Sequence, residues 1–233
     1  MPVRNEQPVT TPARAEQDSV VPARVAGAVR RRVKRLYARH RGRLPFHGWH
    51  HVRFVSAKGR EFAELNGADA GLVDAAGLVH DLNYLVLRDS AASAGRHLRM
   101  NLLARAGASL ELARHIDDVV CEAEMSSRGR DISLEAQALS DADTLFKAVP
   151  ITPVLLAHRY LAENRVSLRR LANKIVGDQQ RAYDQGFYFY NPTIAARYSE
   201  WARANLRLWQ CIAESLDDPC VEDLVGAIDP ALV

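Results

Sequence analysis

At 233 residues, 48% hydrophobic and 25% charged, the chain is long and apolar enough to bury one sizeable core. Its three cysteines, Cys121, Cys211 and Cys220, are an odd number outside any metal-ligand spacing, so neither a disulfide framework nor a structural zinc site is implied. There is no apolar run for a signal peptide or a membrane span, so a cytoplasmic protein with no membrane partner is expected, and a net charge of +3 singles out no class of partner.

In chain order, residues 1–22 carry Pro2, Pro8, Pro12 and Pro22 among polar groups and are expected to be a disordered tail. Residues 23–233 are expected to form a single all-α domain. Val25 to His40 has the pattern of a basic amphipathic helix. Nine residues between Arg24 and Arg43 are Lys or Arg, a density that could steer a phosphate-bearing ligand but is expected mainly to solvate a helix face. His50 to Leu65 carries Val52, Val55, Phe62 and Leu65 at helical spacing, and Leu72 to Val79 is apolar enough to be buried. Ser90 to Ala106 and Ser109 to Met125 each open on a capping serine, with Gly107 as the stop between them. Ser133 begins a helix to Phe146. Thr152-Pro153, Ser167 and Asn191-Pro192 then mark three more helix starts. The aromatics Tyr183, Phe187 to Tyr190, Tyr198, Trp201 and Trp209 are expected to pack these later helices onto the rest, although such rings also stack bases.

Three of these segments carry histidine and aspartate among apolar neighbours, where an unpartnered imidazole or carboxylate is costly. They are His51, the consecutive pair His80 and Asp81, and Asp143. Two imidazole nitrogens and two carboxylates converging on one point would hold a divalent cation, Mn²⁺, Mg²⁺, Co²⁺, Ni²⁺ or Fe²⁺, better than a thiolate-loving ion. His51 shares a stripe with Val55 and Phe62 and so points inward. His80 and Asp81 would be about 100° apart on a regular helix, so both reach one ion only near a helix end. Asp141 and Asp143 both lie on apolar faces, and periodicity does not choose between them. His47, four residues before His51, would complete a three-histidine zinc site with His80 but leave Asp81 and Asp143 unexplained.

The ordered set His51, His80-Asp81, Asp143, with the contexts His-Gly-Trp-His-His-Val-Arg-Phe-Val, Ala-Ala-Gly-Leu-Val-His-Asp and Leu-Ser-Asp-Ala-Asp-Thr-Leu, resembles the His…His-Asp…Asp signature of the HD-domain superfamily of metal-dependent phosphohydrolases. The resemblance spans about residues 45–150. It implies a single HD-type helical bundle with additional C-terminal helices over about 151–233, and it favours Asp143 over Asp141 as the last ligand.

It also implies hydrolysis of a small phosphorylated substrate, a nucleotide or another metabolite, by metal-activated water. Nucleic acid is not expected as a partner. Asp81 would both ligate the metal and hold the water, and Arg53 or Lys147 would neutralise the transferring phosphoryl group. His47 and His50 would flank the site. The chain departs from the nucleotidase-like members at Tyr84, where an acid is usual, although Asp89 follows closely. Two-metal members carry extra histidines; here only His97 and His115 lie in the interval, with Glu122 and Glu124 as substitutes, so one ion is expected. The alternatives are a di-iron oxygenase of the same superfamily, which His97 or His115 as ligand would favour, and a non-catalytic ligand-binding domain.

Overall fold

The computed structural model describes residues 20–124, 131–186 and 188–228. Its helices are α1 (Ala23–Arg39), α2 (Trp49–Asn66), α3 (Ala70–Val79), the short α4 (Asn83–Val86), α5 (Arg96–Arg105), α6 (Leu110–Glu122), α7 (Leu134–Ala148), α8 (Ile151–Asn164), α9 (Leu168–Asp184), α10 (Pro192–Ser215) and α11 (Pro219–Ile228). The fold is all-α, with no strand among the described residues. No described helix is long and apolar enough to cross a membrane.

The centre is α2, packed between α3 and α7. Its inner stripe of Val52, Val55, Ser56, Gly59 and Phe62 is buried, and every residue of α3 from Leu72 to Val79 is buried with it. Two glycines allow that closeness. A Cβ on Gly77 would lie 2.7 Å from the Ser56 Cα and 2.9 Å from its backbone nitrogen, and one on Gly59 would lie 2.8 Å from Val73 Cγ1. The two backbones therefore approach to a distance that any larger residue would hold open. This contact fixes the spacing between His51, near the start of α2, and His80, just past the end of α3.

Capping side chains set several boundaries. Ser109, Ser133, Ser167 and Asn191 each accept from backbone N–H groups at the starts of α6, α7, α9 and α10, as their sequences predict. Two expected starts move. Ser90 does not cap a helix: its hydroxyl donates to the Leu87 carbonyl, a 3₁₀ turn follows over Ala92–Gly95, and α5 begins only at Arg96. Thr152 lies inside α8, with its hydroxyl donating 2.7 Å to the Phe146 carbonyl. Of the expected tail, residues 1–19 lie outside the described residues, as does Met125, but residues 20–22 are held in place: Val21 is buried in the core and the Val20 N–H donates 2.7 Å to Asp69 Oδ2.

The main core takes in α1 to α7 together with Tyr188, Phe189 and Tyr198. Tyr188 stacks on Tyr183 with ring centroids 4.4 Å apart, so most of the described C-terminal aromatics are packing residues, whereas Trp201 is exposed; Phe187 lies outside the described residues. A smaller cluster of Leu161, Leu171, Ala172 and Trp209 joins α8, α9 and α10. No residue of α11 is buried.

Candidate metal centre

Helix α3 ends at Val79, and the backbone tightens into a 3₁₀ turn over His80–Leu82 in which Asp81 leaves helical geometry (φ −95°, ψ 15°). That bend turns two consecutive side chains, which a straight helix would splay apart, towards the same point. His51 faces them from the first turn of α2, entirely buried. Its Nε2 lies 3.1 Å from His80 Nε2, 2.9 Å from Asp81 Oδ2 and 3.5 Å from Asp143 Oδ1, and His80 Nε2 lies 3.2 Å from Asp81 Oδ1.

His51, His80 and Asp81 thus form a cluster whose ligand-type atoms all lie within 4.8 Å of one another. Asp143 stands at its edge. Its Oδ2 is taken by Lys147 Nζ at 2.6 Å, one turn along α7, which leaves Oδ1 towards the histidines.

The donor set fits a cation. His80 Nδ1 is 2.8 Å from the Gly77 carbonyl, which only accepts, so Nδ1 carries the hydrogen and neutral His80 presents a bare Nε2 to the cluster. Two imidazole nitrogens and a carboxylate crowd together there, and Asp81 Oδ2, buried and 2.9 Å from His51 Nε2, has no partner in hydrogen-bond geometry among the described residues. Left to themselves such groups are poorly satisfied; a divalent ion among them accepts all their lone pairs at once.

The electrostatics agree. Burial pushes His51 below its ordinary pKa despite the nearby Asp81 charge, so it stays neutral and able to ligate. Burial acts the same way on His80, but Asp81 and Asp143 outweigh it and raise His80: the field that favours a cation favours a proton. Asp81 is driven upward by burial, yet His80 and His51 hold its carboxyl well below the usual range. Asp143 is lowered too, with Lys147 the main influence against burial.

Asp141 is not a competitor. It is fully buried and accepts from the backbone N–H groups of Tyr190 (2.8 Å) and Asn191 (3.0 Å), tying α7 to the start of α10. His47 is likewise committed: its Nδ1 lies 2.5 Å from Glu163 Oε1 and its ring stacks on Tyr84 with centroids 3.7 Å apart, so it makes no third histidine of a zinc site. Glu163 is a residue that sequence reasoning missed. Buried on α8, it also accepts from the Phe46 and His47 N–H groups at 2.7 and 3.1 Å, and so anchors the turn that leads into α2. Only a carboxylate close to the apolar Leu161 hints at it.

Other expected residues lie elsewhere. Arg53 is exposed with no ionic or hydrogen-bond partner among the described residues, and two residues past His51 it projects about 200° round α2 from it. Lys147 is at the site, on Asp143. His50 is exposed. His97 and His115 are both exposed and join no ligand group; Glu122 accepts from Ser133 and Glu124 from the Ala92 N–H, so the described residues supply no histidines or acids for a second ion beside the first. Asp89 pairs with Lys174 Nζ at 3.1 Å. Cys121 receives weak N–H contacts from Arg96 and Arg99, and burial raises its thiol pKa, which makes it a packed thiol.

The uncharacterized protein YpgQ of Bacillus subtilis is 27% identical over 146 residues, covering 61% of this chain and 67% of that protein. No family model matches the chain, and no solved structure matches it.

Proposed function

We propose that the chain is a metal-dependent phosphohydrolase of the HD-domain superfamily, acting on a nucleotide or another small phosphorylated metabolite. The observation that carries this reading is the convergence of the His51, His80 and Asp81 ligand atoms, with the two Nε2 atoms 3.1 Å apart and Asp143 at their edge. A divalent ion held there would polarise a phosphoryl oxygen and lower the pKa of water.

The chain's own residues supply the rest. Gly77 holds the His80 ring so that Nε2 faces inward. The Lys147 ammonium, kept beside Asp143, offsets negative charge on a phosphoryl group entering from the open side, where Asp143 is 22% and Lys147 37% exposed against 0% for His51. Burial, and next the charge of Asp81, push the Tyr84 hydroxyl far above its ordinary pKa, so it stays protonated and would be available to donate a hydrogen bond to a substrate, at the position where the nucleotidase-like members carry an acid.

The test is phosphate release from a panel of nucleotides and phosphorylated metabolites with Mn²⁺, Co²⁺ or Mg²⁺ added. The reading expects turnover of at least one member, abolished by chelation and by His80→Ala, and reduced by Lys147→Ala. Turnover confined to ferrous iron with oxygen consumption would replace it with an oxygenase, and no turnover under either condition would leave a ligand-binding domain.

A further inference from the structure

The basic residues of α1 are not all placed alike. Arg30 is committed inward, donating 2.7 Å to Asp74 Oδ1 on α3. Arg32, Arg35 and Arg39 form a stripe at i, i+3 and i+7 that borders a groove of about 310 Å³ shared with α5, where Arg105 stands on the opposite wall. Among the described residues none of these four guanidiniums has an ion pair or hydrogen bond, and neither α1 nor α5 contains an acidic residue. Solvated helix faces ordinarily interleave signs. Here four like charges face one concavity from two elements, an arrangement that attracts an anion.

The floor is apolar. Leu36 comes from α1 and Leu98 and Leu102 from α5, and with the arginines and the polar Asn101 each helix contributes its i, i+3, i+4, i+7 stripe. Such a stripe is two turns, about 10 Å, long. That length spans a short chain of phosphates, and the volume suits a single small molecule more than a polymer. Planar guanidiniums take phosphate oxygens in pairs, while leucines take a base or another flat apolar group. No residue of the metal centre lines this groove.

We propose that the α1–α5 groove is a binding site for a compact polyphosphate-bearing ligand of the nucleoside-triphosphate type, separate from the metal centre. Phosphates sit on Arg32, Arg35, Arg39 and Arg105, and the apolar portion lies on Leu36, Leu98 and Leu102.

The test is calorimetric titration of the full chain with inorganic tripolyphosphate and with ATP, in EDTA, on the unsubstituted protein and on Asp81→Asn, so that neither metal-bound ligand nor hydrolysis contributes. The expected result is saturable one-to-one binding of both probes, tighter for ATP, unaffected by Asp81→Asn. Arg35→Gln with Arg39→Gln, and Arg105→Gln alone, should each weaken binding at least about tenfold; these side chains lie on the surface and leave folding intact. Loss of binding in Asp81→Asn, or equal binding by the arginine variants, would place the ligand elsewhere. Failure of tripolyphosphate to bind, with affinity for single-stranded oligonucleotides rising with their length, would make the groove a nucleic-acid surface and overturn the proposal.

Discussion

Two buried polar constellations in this fold are built differently. Between α5 and α6, Arg99 is fully buried, yet its Nε and Nη2 donate 2.8 and 2.5 Å to Asp117 Oδ1 while Arg96 Nε donates 2.6 Å to Oδ2, so the acid is closed on both oxygens by the chain's own cations. Between α2, α3 and α7, His51, His80 and Asp81 are crowded with no cation among them and with a buried carboxylate oxygen that lacks hydrogen-bond geometry. In the first arrangement both carboxylate oxygens are neutralised as folded, although Arg99 Nη1 is itself buried without a partner among the described residues. The second is complete only with a positive charge at its centre, which is why one reads as structure and the other as a site.

That contrast predicts opposite consequences for removing an aspartate. Asp117→Ala leaves Arg99 buried without its counter-ion and should destabilise the fold by about 3–5 kcal/mol with no change in metal stoichiometry, as denaturant unfolding and metal analysis would show. Asp81→Asn should abolish metal binding and change metal-free stability far less. If both variants lost stability equally, the metal centre would be an ordinary structural network.

A smaller effect probes the packing that sets the site. Gly77→Ala places a methyl group against the Ser56 backbone and should cost about 1–3 kcal/mol. It should also weaken metal binding, because the Gly77 carbonyl orients His80. A stable Gly77→Ala protein with undiminished metal affinity would remove the α2–α3 spacing from the account.

pH separates the two constellations further. His80 has a raised pKa, so in the metal-free protein its protonated form contributes stability that is fully present below the unfolded pKa and lost as pH rises through the folded one. The same proton competes with the metal. Metal affinity should therefore fall as pH drops through a midpoint above the ordinary histidine value of about 6.5, by about tenfold per pH unit below it. Titration of metal affinity from pH 5 to 9 checks this; a pH-independent affinity would contradict it. The smallest expected effect is that of Arg53→Ala, which should leave metal affinity and turnover within twofold, since the side chain projects away from His51.

The same two regions show what the sequence makes legible. His51 could be placed inside by its stripe, and the convergence of His80 with Asp81 required a helix end that the 3₁₀ turn supplies. Helical periodicity is local, and it carries that much. It could not separate Asp143 from Asp141, because both face apolar neighbours; the choice rests on the backbone of Tyr190 and Asn191, about fifty residues on, which claims Asp141. Glu163 on His47 and Arg99 on Asp117 were equally invisible, since pairing across 116 and 18 residues leaves no periodic trace. The basic character of α1 was plain, but that Arg30 turns to Asp74 while Arg32, Arg35 and Arg39 meet Arg105 depends on how α1 packs against α3 and α5.

The central claim is that His51, His80 and Asp81 hold a single divalent ion with Asp143 at its edge. Elemental analysis of the purified protein after loading with Mn²⁺ and removal of excess tests it most directly, alongside His51→Ala, Asp81→Asn and Asp141→Asn, with circular dichroism to confirm folding. The account predicts about one ion per chain in the unsubstituted protein and in Asp141→Asn, and almost none in folded His51→Ala and Asp81→Asn. Full metal content in His51→Ala or Asp81→Asn, or loss in folded Asp141→Asn equal to theirs, would contradict it.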